Sequence, residues 1–386
     1  MDAASAGLNP RPLEHLRAAL VEQIARGRLA GAVLRVERHG VTGWFESLGW
    51  QDAVRGVAMR DDSIFRIYSM TKPVVSVALM MLVEQSRVLL RDPVAAYLPE
   101  FAAVRVGHER GGPLEAKAPA RAITVHDLLR HTAGLSYAFF EPSAVRRRYI
   151  AANLFARTRT NAELSTALAG LPLVHEPGTI WEYSHATDVL GRLVEVLSGA
   201  TLADHLQQAV FDPLGMVDTG FAVAETAHAR IAEPLPDPPG GTAAQRLFDA
   251  RTPAALQSGG GGLLSTAPDY ARFVRMLCQG GTLDGHRLLG RKTVEFMTAD
   301  HLGPLPRSGA VLPPGHGFGL GVAVKTALGE HTEPGSVGSY GWSGAAGTAF
   351  FVDPQESLFA ILLTQAPSLF DEVRERFRQA VYAAIE

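Results

Sequence analysis

Apolar positions along the chain follow two periods. From Arg11 to Arg26 they recur at Leu13, Leu16, Leu20 and Ile24, the spacing of one helix face. Ala32 to Arg38 and Thr42 to Leu48 then read as strands joined by a turn at His39-Gly40. The helical period returns over about 70–86, near 124–131, over 161–169 and over 186–198, with loops rich in Pro, Gly and Arg between. Residues 225–262 are loop-like and end in the run "SGGGGLLS". A helix over 267–278, strands over 317–324, 346–352 and 357–364, and a helix from Ser368 to Ile385 close the pattern. Strands at both ends with helices between predict one α/β domain built from both termini and interrupted by a mostly helical insertion. Neither internal repeats nor a low-complexity tail break that organisation.

Composition narrows the function classes. The chain has 386 residues, 47% of them hydrophobic, which supports a large core in two domains or in one domain with an insertion. A net charge of −3 leaves no electrostatic footprint for nucleic acid. The longest apolar run, Val74 to Val83, is too short to cross a bilayer, and the N-terminus lacks the basic start and apolar core of an export signal. A soluble cytoplasmic protein without a membrane partner is expected. Cys278 is the single cysteine, so an internal disulfide is excluded; its helical, apolar setting predicts a buried structural thiol. The thirteen histidines show no His-Glu-x-x-His spacing and there are no paired cysteines, so no metal site is expected.

One stretch carries candidate chemistry: "FRIYSMTKPVV", Phe65 to Val75. Proline is tolerated in the first turn of a helix, so Pro73 places a helix start close to Ser69. Backbone N–H groups at such a start have no helical partner and can hold an oxyanion. Residues three apart share a helix face, which brings the Lys72 amine to the Ser69 hydroxyl. The helix dipole and burial would both favour a neutral amine that accepts the serine proton. The alternative is an ordinary helix start, with Ser69 as N-cap and Lys72 as a solvated charge. Four lysines and this serine content produce a Ser-x-x-Lys by chance roughly one time in five, so the motif needs company.

The company is present: "LLRHTAGL" (128–135), "PGTIWEYSHATDVLG" (177–191), "FDPLGM" (211–216), "GGGGLLSTAPDYARF" (259–273) and "GWSGAAG" (341–347). In that order and spacing, from about residue 30 to the C-terminus, the chain resembles the serine β-lactamase and penicillin-binding-protein superfamily, and within it the family VIII carboxylesterases. The resemblance implies an α/β (α+β), β-lactamase-like fold: an antiparallel sheet flanked by the terminal helices, from residues 1–66 and 225–386. A mostly helical domain over 67–224 is added, with the site in the cleft between. It makes Ser69 the nucleophile, Lys72 its activating lysine, and Tyr183 the partner in general-base duty. His185 stands where the family motif has asparagine, and Trp342-Ser343-Gly344 where β-lactamases carry Lys-Thr-Gly. The backbone N–H groups of Ser69 and Ala345 form the implied oxyanion hole.

Blander roles remain open for several of these residues. Tyr183 could be a core tyrosine, Trp342 a cover for the sheet edge, and His185 either pocket lining or helix surface. His131 reads as a structural histidine. The near-motifs around Ser136 and Ser343 each miss the last glycine of the Gly-x-Ser-x-Gly elbow and its strand-then-helix setting. The glycines of "GHGFGLG" (315–321) open no helix, so a dinucleotide site is not expected. The implied reaction is acyl transfer from a small-molecule ester to water, with no metal or organic cofactor, favoured by mildly alkaline conditions. Rivals are a β-lactamase or D-alanyl peptidase-like hydrolase, an acyltransferase using the same acyl-serine, and a non-catalytic recognition module. Without a cation at Trp342, short esters of about C2 to C6 are expected to outrun penicillins. The oligomeric state is not read from the sequence.

Overall fold

Residues 3–108, 114–236 and 247–386 are described by the computed structural model. The apolar runs at the two ends of the chain form one sheet. Its strands are β1 (Gly31–Arg38), β2 (Val41–Asp52), β3 (Val57–Ala58), β4 (His316–Phe318), β5 (Ala323–Lys325), β6 (Tyr340–Gly344), β7 (Thr348–Asp353) and β8 (Leu358–Thr364). Their order across the sheet is β4-β5-β6-β7-β8-β1-β2-β3, with every neighbouring pair antiparallel. The central seam joins the chain ends, with Ala32 opposite Thr364 and Arg38 opposite Leu358.

Every residue of β1 and β8 is buried, so successive side chains serve two cores. Ala32, Leu34, Val36, Ala360 and Leu362 face the terminal helices α1 (Pro10–Ala25) and α2 (Phe370–Ala383). Val33, Phe359, Ile361 and Leu363 face the larger core shared with α3 (Thr71–Glu84), α4 (Ala186–Ser198) and α5 (Ala267–Cys278). Local chemistry sets the ends of these helices. Asn9 caps α1 by accepting from the Arg11 N–H at 3.1 Å, ahead of Pro10. Thr266 caps α5 in the same way, and Gly199, at φ +77°, ends α4 in the left-handed conformation.

Four expectations are corrected. The strand foreseen over 317–324 is a hairpin: β4 and β5 are joined by a turn in which Gly319 N–H donates to Val322 O at 2.8 Å and Gly321 adopts φ +97°. A left-handed glycine breaks a strand that its alternating pattern would otherwise continue. Cys278 is exposed, because it is the last residue of α5 and the buried stripe Tyr270, Phe273, Val274, Leu277 stops one residue short of it. The helix over Ala144–Ala151 falls in a stretch read as loop, and the helix over Arg291–Met297 in one given no element; little more than two turns gives too little periodicity to register. The loop expected over 225–262 contains a 3₁₀ turn at Glu225–Arg230, while its residues 237–246 lie outside the described residues. Among the described residues, no helix is long and apolar enough to cross a membrane.

The sheet positions the candidate site through β6. Gly344 ends that strand against the backbone just before Ser69: an added Cβ would lie 2.2 Å from Ile67 O and 2.3 Å from Thr348 Oγ1. Thr348 Oγ1 itself donates to Ile67 O at 3.2 Å. Gly344→Ala should therefore push the strand away from the serine turn. Overpacking of this kind costs about 1–3 kcal/mol, so the melting temperature should fall by roughly 1–4 °C in a thermal scan. An unchanged melting temperature would show that the contact is slack.

Candidate active site

Tyr68, Ser69 and Met70 form a single 3₁₀ turn that runs directly into α3. Tyr68 has φ +43°, a left-handed conformation that costs a non-glycine residue about 1–2 kcal/mol. It is held there from several sides. The Phe248 N–H donates to Tyr68 Oη at 3.4 Å, and the two rings meet edge-on at 5.5 Å. Tyr270 Oη donates to Met70 O at 2.9 Å, and Thr71 Oγ1 accepts from Leu263 N–H at 3.1 Å. The turn thus presents Ser69 at the edge of a large cavity from a fixed frame.

Lys72, three residues on, is wholly buried. Its Nζ donates to Gly260 O at 2.7 Å and to Ser69 Oγ at 3.2 Å. It sits 4.4 Å from the centre of the Tyr183 ring and 5.4 Å from that of Tyr137. The solvated-charge alternative does not apply to this amine. Among the described residues no carboxylate lies within ion-pair distance of it. Asp188 reaches it through one residue: its carboxylate accepts from Gly260 N–H at 2.9 Å, while Gly260 O holds Lys72.

Asp188 was not anticipated from the sequence, although a carboxylate on the apolar start of α4, in "ATDVLGRL", was the available signal. Buried at the first turn, it also accepts from Ser258 Oγ at 2.6 Å and pairs with His185 Nδ1 at 2.8 Å. Burial works to raise its carboxyl; the His185 hydrogen bond and charge, Ser258 and the Lys72 charge outweigh it and hold the group below its usual range.

Tyr183 follows a two-residue strand, Trp181–Glu182, that pairs in parallel with Arg307–Ser308. Glu182 anchors this segment from below. It accepts from Ser136 Oγ, from Arg146 Nη2 at 2.7 Å and from His175 Nε2 at 2.8 Å. Burial would raise the Glu182 carboxyl, but these hydrogen bonds bring it down to about 2. Ser136 is buried and spent on this carboxylate, so it is not placed as a nucleophile. On the cavity side, Tyr183 Oη accepts the Trp342 indole N–H at 3.1 Å.

The cavity encloses about 1070 Å³ and brings together Ser69, Tyr183, Trp342, Ser343 and Ala345. Lys72 lies directly beneath Ser69. The N–H groups of Ser69 and Ala345 have no acceptor among the described residues. Two other expected residues stand apart from the lining. Gly344 is packed against Ile67, and His185 is buried behind Tyr137, with ring centres 4.3 Å apart. His185 Nε2 has no hydrogen-bond partner among the described residues. Tyr137 lines the cavity and was also unforeseen; burial first, then the Asp188 and Tyr183 charges, push its hydroxyl well above the usual range, so it stays protonated. His131 is structural. Its Nδ1 meets Ser184 Oγ at 3.2 Å, its carbonyl accepts the Glu182 N–H at 2.9 Å, and burial, with the Lys72 charge, keeps the imidazole neutral. Among the described residues no cluster of His, Cys, Asp and Glu has metal-ligand geometry.

Two predictions follow from this support. Asp188→Asn keeps the shape but removes the charge behind Gly260. The turnover number should drop by about tenfold to a hundredfold, and the pH–rate profile should move toward lower pH because the site loses a negative charge. A variant with parental turnover and profile would remove Asp188 from the machinery. For Glu182, the lowered carboxyl means its stabilisation is complete above about pH 4.5 and is lost as pH falls toward about 2. The urea midpoint should decline less steeply between these values in Glu182→Gln than in the parent. Parallel declines would show that Glu182 does not drive acid unfolding.

A Beta-lactamase family model matches residues 16–384. The chain is 38% identical to Protein Rv1367c of Mycobacterium tuberculosis (strain ATCC 25618 / H37Rv), over 92% of this chain and 90% of that protein. It is 32% identical to Esterase EstB of Burkholderia gladioli, over 95% and 94%. Among solved structures, EstCE1, described as a hydrolase with promiscuous acyltransferase activity, superposes with a TM-score of 0.77 at 27% identity, covering 96% of this chain and 98% of that one.

Proposed function

The chain belongs to the Beta-lactamase family of serine hydrolases, and from that membership we propose that it cleaves carboxylic esters through an acyl-enzyme on Ser69. The observation that carries this reading is the hydrogen bond from the buried Lys72 amine to Ser69 Oγ at the edge of an aromatic-lined cavity. The Lys72–Tyr183 pair takes the Ser69 proton as Oγ bonds to the ester carbonyl carbon. The N–H groups of Ser69 and Ala345 hold the developing oxyanion. Collapse breaks the carbon–alkoxide bond, and Tyr183 returns the proton to the leaving alcohol. The same pair then deprotonates a water, whose oxygen displaces Ser69 and releases the acid. No step needs a metal or organic cofactor.

The helical segment 67–224 supplies the nucleophile, Lys72 and Tyr183, while the sheet supplies Trp342 and Ala345. We read these as two domains meeting at the cleft. Trp342 is held by Tyr183 and meets Phe318 edge-on at 5.2 Å, giving the substrate an aromatic wall with no charge. That favours a short acyl chain of about C2 to C6 over a penicillin. The cavity is far larger than such a chain, so the leaving alcohol can be bulky. A second reading, acyl transfer to an alcohol acceptor, is favoured by the similarity to EstCE1. It shares every step up to the acyl-enzyme and differs in whether water or an alcohol resolves it.

A fluorophosphonate probe should add one mass equivalent to the intact chain, and peptide mapping should place it on Ser69. Ser69→Ala should abolish hydrolysis of p-nitrophenyl butyrate while remaining folded; activity within about tenfold of the parent would sink the assignment. On one preparation, kcat/KM for that ester should exceed the value for nitrocefin by at least about a hundredfold. An equal or higher nitrocefin value would replace the esterase reading with β-lactamase.

A further inference from the structure

The cavity lining carries a charge that this chemistry does not use. Arg157 lines the cavity beside Phe248 and Leu256. Its Cζ lies 4.6 Å from the centre of the Phe248 ring, and Phe248 packs edge-on against Tyr68, the residue before Ser69. One guanidinium N–H is spent on Thr252 O at 2.6 Å. The Arg157 carbonyl accepts from Ala255 and Leu256 N–H at 3.0 and 3.2 Å, which fixes the residue in the wall.

No carboxylate among the described residues lies within ion-pair distance of this guanidinium. Asp249, the nearest acidic influence, is occupied. Its Oδ1 accepts from Arg251 N–H at 3.0 Å and its Oδ2 from Thr252 Oγ1 at 2.8 Å. Arg66, the other guanidinium near Phe248 at 5.8 Å, is paired with Glu233 at 3.1 Å and donates to Ala232 O at 2.8 Å. Tyr68 adds no charge in its protonated form. Burial is the largest influence on Arg157 and lowers its proton affinity, with Asp249 acting in the opposite sense. The other two cavity-lining arginines differ: Arg374 and Arg378 both face Glu333. A half-buried cation without a counter-charge is costly unless something else supplies one.

We propose that Arg157 is an anion subsite of the catalytic cavity, and that the preferred ester carries a carboxylate held by this guanidinium while its carbonyl carbon lies at Ser69. The proposal rests on the esterase reading and names its substrate class. A guanidinium with free N–H groups in a plane suits a carboxylate bidentately, and apolar surroundings strengthen the pair. The anchor contacts Phe248 and leaves the Trp342 position itself uncharged, so it does not restore the cation that penicillins expect there.

Two matched pairs of esters test it on the full chain. One carries the charge on the acyl side, mono-4-nitrophenyl glutarate against 4-nitrophenyl valerate. The other carries it on the alcohol side, 4-carboxyphenyl butyrate against phenyl butyrate. In at least one pair the charged-to-neutral ratio of kcat/KM should fall by about tenfold or more in Arg157→Gln and recover in part in Arg157→Lys. The responding pair identifies the side that bears the carboxylate. Ratios unchanged within about twofold in both pairs overturn the subsite and leave the esterase reading standing. If Arg157→Gln does not fold, sodium chloride raised to about 0.5 M on the parent should lower the charged ratio, and a salt-independent ratio overturns the proposal. If the parent hydrolyses none of the four esters, the esterase reading fails. Calorimetric titration with glutarate then decides the subsite: binding weakened in Arg157→Lys sustains it, and equal binding overturns it.

Discussion

The buried amine of Lys72 organises the molecule around it. An amine with no carboxylate at contact distance survives in the interior only if its N–H groups are spent on oxygens held in place. Gly260 O and Ser69 Oγ serve that purpose, and both depend on further structure. Gly260 is oriented by Asp188, which His185 and Ser258 in turn fix. Ser69 is oriented by the left-handed turn at Tyr68, clamped by Phe248 and Tyr270. The faces of Tyr183 and Tyr137 complete the amine's surroundings with π density in place of water. Loops separated widely along the chain are thereby bound to a single nitrogen.

This arrangement explains which parts were legible in the sequence. Period and caps declare themselves locally, so α4 and α5 appear at the bounds their patterns predict. Ser69 and Lys72 are legible because a helix start, a proline and a three-residue spacing are properties of one short stretch. Asp188 and Arg157 were not. What makes each of them interesting is a neighbour distant along the chain: Gly260 and Ser258 for the first, and for the second Phe248, with no carboxylate partner among the described residues. The His185 placement failed for a related reason. Sequence puts it at the start of α4 beside Tyr183, but Tyr137 arrives from another loop and stands between it and the cavity. The hairpin within 315–325 was hidden because alternating glycines look like a strand until one of them turns left-handed.

The two layers behind the site differ in how they resist change. The Glu182 platform under Tyr183 is a charged network, with Arg146, His175 and Ser136 converging on one carboxylate. The β6 side is held by close packing, with Gly344 in contact with the Ile67 carbonyl and leaving no space for a methyl group. Acid loosens the first and leaves the second intact, whereas added volume does the reverse.

The seam between β1 and β8 has a consequence for how the molecule comes into being. Ala32 and Thr364 pair across a very long sequence separation, so the central ladder cannot close until β8 has been synthesised. Until then β1 has its partner on one side only, in β2, and its other edge offers unpaired backbone groups to any passing strand. The nascent chain must therefore carry that open edge until β8 emerges, a period in which a holdase chaperone would shield it. Loss of β7 and β8 to a premature stop would leave a chain that keeps Ser69 and Lys72 but has its sheet split into two three-stranded pieces, β1-β2-β3 and β4-β5-β6. Such a fragment is a candidate for aggregation or degradation and not for residual activity.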